Sequence, residues 1–135
     1  MKKALVGLIK PFGLLAGFLM ICVPAAAHHG TSNYDQGKTV TLSGVVTGFV
    51  WSNPHAYLLF DVKDEKGNIV HWAGEMNSPT VLAGAGWTRT TLKVGDQVTL
   101  TLRASVGGNP VGLINRSSVL VNGKRVEPGP SQPQQ

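Results

Sequence analysis

The chain has 135 residues, with 12 Lys and Arg against 7 Asp and Glu, a single cysteine and 42% apolar residues. That length allows one modest core and excludes a multidomain enzyme, while a lone cysteine excludes a disulfide framework or a thiolate metal cluster. Three of the basic residues, Lys2, Lys3 and Lys10, crowd the start, so the formal charge of +5 gives the rest of the chain no strong claim on nucleic acid or anionic lipid.

Lys2 and Lys3 precede an apolar run of twelve residues, Phe12 to Val23, and then Ala25-Ala26-Ala27. This is the pattern of a secretory signal peptide over residues 1–27. Spanning hydrocarbon takes about 20 uninterrupted apolar residues, and Lys10-Pro11 breaks the stretch too early for a membrane anchor. Ile21, before Cys22, is not the small residue a lipobox needs. Removing residues 1–27 leaves 108 residues with a formal charge of +2 and no cysteine, so packing alone must stabilise the mature protein. A soluble periplasmic protein without a stable membrane anchor is expected.

Residues 28–37 are polar and read as a lead-in segment. From Thr39 to Trp51 the sequence predicts a long strand, with Val40, Leu42, Val46 and Val50 on one face and Gly44 and Gly48 placed to bend or bulge it. Ser52-Asn53-Pro54 makes a turn. Ala56 to Lys63 is a second strand with Leu58, Phe60 and Val62 inward, and Asp64 to Asn68 a second turn. Ile69 to Met76 is a third strand, followed by Asn77-Ser78-Pro79 as the cap of a short helix that Gly84 and Gly86 end. Gln97 to Arg103 and residues 112–121 are two further strands, with Asn122-Gly123 a hairpin turn and Lys124 to Glu127 a short return. Residues 128–135, rich in Pro, Ser and Gln, cannot bury a core.

Three strands, a short helix and two strands give an all-β fold with one short helix: a small OB-like five-stranded Greek-key barrel over residues 38–127. A plain antiparallel sandwich is the competing architecture.

Alternation puts Tyr57, Leu59 and Asp61 on the outer face of the second strand, and His71, Ala73 and Glu75 on that of the third. A turn centred near Lys66 sets Asp61 opposite His71 and Tyr57 opposite Glu75, with Trp51 flanking Tyr57 and His55 just above them. Trp51, His55, Tyr57 and Glu75 would then form a recess where an aromatic wall, an imidazole and a carboxylate meet, suited to a small ligand or a cation. The plainer alternative makes Trp51 a cover for the barrel end and His55 a solvated turn residue. His71 and Glu75 are not a metal pair, because four residues of strand span roughly 13 Å. Trp72 and Met76 alternate inward.

Cleavage after Ala27 would expose the amine and imidazole of His28 together, a nitrogen pair suited to Cu(II); cleavage after Ala25 would put His28 third, where backbone amides join it. His28 and His29 are therefore candidate metal ligands, against the plain reading of two solvated residues. No serine or threonine stands with a histidine and an acid at a recognisable spacing, and no glycine loop precedes a helix to cradle phosphate, so no enzyme is expected.

Trp51-Ser52-Asn53-Pro54-His55, His71-Trp72-Ala73-Gly74-Glu75, Gly86-Trp87 and Leu92-Lys93-Val94-Gly95-Asp96 form a pattern that extends to His28-His29 and Tyr34-Asp35. In these stretches the sequence resembles a family of small exported bacterial proteins catalogued only as a domain of unknown function. The resemblance covers most of residues 28–126 and implies a periplasmic one-domain β protein. Ala104 to Gly112 departs from the proline-plus-charged loop of that family. At fold level the chain is also similar to the periplasmic copper and silver chaperones of cation-efflux systems, with His71, Trp72 and Met76 as the residues that could correspond.

The expected function is a non-enzymatic periplasmic binding module. Its alternatives are a copper-handling protein using His28, joined by His29 or His55, and an OB module for single-stranded nucleic acid. The last of these lacks a basic groove.

Overall fold

The computed structural model describes residues 33–126. The signal segment, His28, His29 and residues 128–135 lie outside the described residues. The strands are β1 (Val40–Val50), β2 (Tyr57–Lys63), β3 (Ile69–Glu75), β4 (Gln97–Ala104), β5 (Val111–Ile114), β6 (Leu120–Val121) and β7 (Lys124–Arg125), with helix α1 (Pro79–Gly84) between β3 and β4. β1 pairs with β2, β2 with β3, β3 with β5 in parallel, β5 with β4, and β4 again with β1. Five strands close on themselves, as the OB-like reading expects. The β6–β7 hairpin extends the sheet from β4.

Closure rests on β1, which pairs with β4 from Val40 to Val45 and with β2 from Val45 to Val50. At the changeover, Gly44 brings the backbone so near β2 that a side chain there would collide with the carbonyl oxygen of Asp61. Beyond it, Val46 pairs with Phe60 and Gly48 with Leu59, which leaves Thr47 as an extra residue in a β-bulge.

The bulge corrects the expected inner face of β1. Val46 is buried, but past Thr47 the alternation changes phase, so Phe49 packs on the core while Val50 is 44% exposed. Val40 is 38% exposed and Leu42 half-buried, contrary to expectation. Both pair with β4 alone, ahead of the point where β2 comes alongside.

In β2 and β4 the alternation holds. Leu58 and Phe60, then Val98, Leu100 and Leu102, fill the barrel with Met76 and Trp87. Ser78 caps α1 by accepting a hydrogen bond from the Val81 amide, Pro79 opens the helix, and Leu82 is driven into the same core. The expected strand over residues 112–121 is two short strands separated by a 3-10 turn, Arg116–Ser118. Asn115 causes the break: its side-chain oxygen accepts from the amide and hydroxyl of Ser117, and its carbonyl from the Ser118 hydroxyl, replacing the strand ladder with local bonds.

Candidate functional site

The β2–β3 turn fixes the register of the outer face. Asp64 accepts hydrogen bonds from the amides of Lys66 and Asn68 and from the Asn68 side chain, and Gly67 supplies the positive φ that closes the turn. Tyr57 therefore stands opposite Glu75, Leu59 opposite Ala73 and Asp61 opposite His71, as the sequence predicts. Asp61 and His71 form the expected cross-strand pair, with Nδ1 2.6 Å from the carboxylate, and the imidazole is 82% exposed.

Glu75 is gripped from two sides. Tyr34 donates its phenolic proton to Oε2 at 2.7 Å, and His55 Nδ1 lies 3.4 Å from Oε1 and 3.2 Å from the Met76 carbonyl oxygen. Both of these partners are acceptors, so Nδ1 bonds to them in the tautomer that carries its proton there. The hydroxyl of Ser52 holds the turn by donating to the His55 carbonyl at 3.2 Å. The structure thus brings His55, Tyr57 and Glu75 together. Trp51 turns elsewhere: its ring packs edge-on against Phe49 at 5.6 Å and against the core, and its carbonyl accepts from Arg89. That is the cover role rather than a wall of the recess.

Tyr34, noted in the sequence only as part of the family pattern, is the site residue the sequence reading did not place. A lead-in without periodicity gives no strand signal, and its order comes from distant contacts. The Asp35 amide donates to Ala104, the Val106 amide donates to Asn33, and Tyr34 bridges Ser105, so the loop after β4 stitches the segment to the barrel. The Asp35 side chain accepts from the amides of Gly37 and Lys38 and turns the chain into β1. An aromatic ahead of an Asp turn is the signal that could have marked it.

Burial raises the Tyr34 phenol above its ordinary pKa, reinforced by the bond to Glu75 and by the charge of that carboxylate. Burial and the Glu75 charge likewise raise Tyr57. A raised phenol contributes its full stability below its unfolded pKa of about 10 and loses it progressively as pH rises from there toward the higher folded value. Tyr34→Phe should therefore cost about 1.5 kcal/mol at neutral pH, the worth of a hydrogen bond to a charged acceptor. Urea titrations from pH 7 to 11 should show that the gap to wild type narrows at the alkaline end; a constant gap would mean that Tyr34 acts by packing alone.

Among the described residues, no group of three or more His, Cys, Asp or Glu side chains could hold a metal ion. His71, Trp72 and Met76 do not meet on one face: Met76 is fully buried and Trp72 stacks on Phe60 at 6.4 Å, both inside, while His71 points outward.

The profile of a family of unknown function, DUF6152, matches residues 17–115. The chain belongs to the DUF6152 family. The matched stretch contains Tyr34, His55, Tyr57 and Glu75, so every residue of the cluster falls within the DUF6152 match. No curated protein and no solved structure matches the chain.

Proposed function

We propose that this DUF6152 protein is an exported, periplasmic, non-enzymatic binding module that takes a small cation-bearing ligand at Glu75, or a metal ion for which Glu75 is one ligand and the mature N-terminus supplies the others. One observation carries the reading: the Glu75 carboxylate is held by Tyr34 and His55, with the half-exposed ring of Tyr57 directly across from it. A carboxylate fixed before binding spends little entropy when a cation arrives, and an adjacent phenol ring offers its face to the same charge. Export rests on the residue 1–27 pattern. The mass of the exported chain should place its start at His28 or Ala26, and a retained leader would contradict export.

The test is the melting temperature against Cu(II), Zn(II) and choline, with a neutral sugar as control. A ligand at 100 times its Kd stabilises the fold by about 2.7 kcal/mol, on the order of 10 °C or more for a domain this small. At least one cation should give such a shift and the sugar none; no shift with any cation would contradict the reading.

Copper handling by His28 is a second reading, and the anchoring of the lead-in favours it. Tyr34 is bonded to Glu75, and His28 is six residues earlier, within at most about 22 Å of extended chain. The amine and imidazole of His28 would then be tethered beside the carboxylate. An extra Met ahead of His28 should weaken Cu(II) binding more than tenfold, about 1.4 kcal/mol; equal affinity would leave His28 and His29 as solvated residues.

A further inference from the structure

A cleft of about 200 Å³ lies where the end of α1, the 3-10 turn and the β6–β7 hairpin meet, and it shares no residue with the Glu75 cluster. Its apolar floor includes Ala85, Trp87 and Val119; Trp87 is 3% and Val119 1% exposed. Its charged wall is made by Arg116 and Arg125, and no acidic residue among the described residues lines it. Among the described residues, the carboxylates in contact with a basic side chain are Glu75, beside His55, and Asp61, beside His71, so neither guanidinium has a carboxylate partner among the described residues.

The residues that break the last strand build this cleft. Asn115 and Ser118 tighten the 3-10 turn, which opens with Arg116 and turns the Ser117 carbonyl toward the hairpin. Asn122 and Gly123, both at positive φ, fold β7 back so that Arg125 donates one N–H to that carbonyl at 2.7 Å. One bond fixes the side chain and uses one of the five donors of a guanidinium.

We propose that this cleft is a second binding site, for a small organic carboxylate carrying a short apolar body. Two like charges over an apolar floor repel each other until an anion joins them, and a guanidinium matches a carboxylate with two parallel N–H donors. The floor of Trp87, Val119 and Ala85 gives contact area to a hydrocarbon and nothing to an inorganic ion. The volume is below the roughly 300 Å³ of a drug-sized pocket, so the occupant is small.

Benzoate is a suitable probe, titrated into the ¹⁵N-labelled exported chain beside benzamide and inorganic phosphate. Benzoate should shift the Trp87 indole N–H and the amides of Ser117 and Val119 along a saturating curve. Phosphate should bind more weakly, and benzamide should leave those signals in place. Arg116→Gln should weaken benzoate at least fivefold. Arg125→Lys, which keeps a charge and a donor for Ser117, should weaken it with the backbone spectrum preserved. If either variant loses the native spectrum, the wild type still decides: benzoate affinity should fall severalfold from low to high salt. Equal binding of benzoate and benzamide, salt-independent affinity, unchanged affinity in a folded Arg116→Gln protein, or no benzoate binding at millimolar concentration would each overturn the proposal. None of these results bears on the cation site at Glu75.

Discussion

Gly44→Ala is expected to destabilise the protein by about 3 kcal/mol or more, a large share of the 5–15 kcal/mol that holds a small domain folded. β1 must pass from β4 to β2 at this point, and the passage presses its backbone against β2. An added Cβ would collide with the Asp61 carbonyl oxygen and lie 3.2 Å from the Phe60 ring. A backbone oxygen cannot rotate aside as a flexible side chain could, so the strands must separate and the ladder there must weaken. Gly84→Ala, at the end of α1 with open space around it, is the matched control and should change stability by no more than about 1 kcal/mol. Urea midpoints of the two variants compare the effects directly. Equal midpoints would mean that β1 does not make the close crossing that seals the barrel.

Phe60→Ala carries the second large effect, a loss of about 3–5 kcal/mol from the transfer of the ring and the cavity left behind. Phe60 is fully buried, stacks on Trp72 and pairs with Val46 on one side and Trp72 on the other. At roughly 4–8 °C per kcal/mol for a domain of this size, the melting temperature should fall by well over 10 °C. Leu59→Ala, one residue along and on the outer face, should cost about 1 kcal/mol, because the side chain is already 36% exposed. Comparable losses for the two variants would contradict the register that presents Tyr57 and Glu75 on the outer face.

That register was legible because two local signals agree. Leu58 and Phe60 share a face while Tyr57 and Asp61 mark the opposite one, and Asp64 with Gly67 defines a turn whose centre sets every pair from Lys63 back to Tyr57. The helix was legible for the same reason, since Ser78 and Pro79 together fill the cap and first-turn positions. Elsewhere, tertiary context prevailed. The strand pattern of β1 runs smoothly through Thr47, and only pairing with β2 reveals the extra residue that sends Val50 outward. Asn115 to Ser118 follow an apolar strand, yet their side chains satisfy the backbone locally and end the ladder. Tyr34 belongs to the family pattern, but its place beside Glu75 was not legible because the contacts that set it come from a loop some 70 residues later in the chain. Trp51 was drawn to Phe49 and the core, which its turn position alone does not encode.

Glu75→Gln gives the most direct test of a cation site organised by this carboxylate. Glutamine keeps the size of the side chain and a carbonyl oxygen to accept the Tyr34 hydroxyl, but removes the charge. Melting temperatures of wild type and Glu75→Gln, measured with Cu(II), Zn(II) and choline at matched concentrations, compare the two with the fold preserved. The account predicts a cation-dependent rise on the order of 10 °C in wild type that disappears in the variant. An equal rise in both proteins would contradict it.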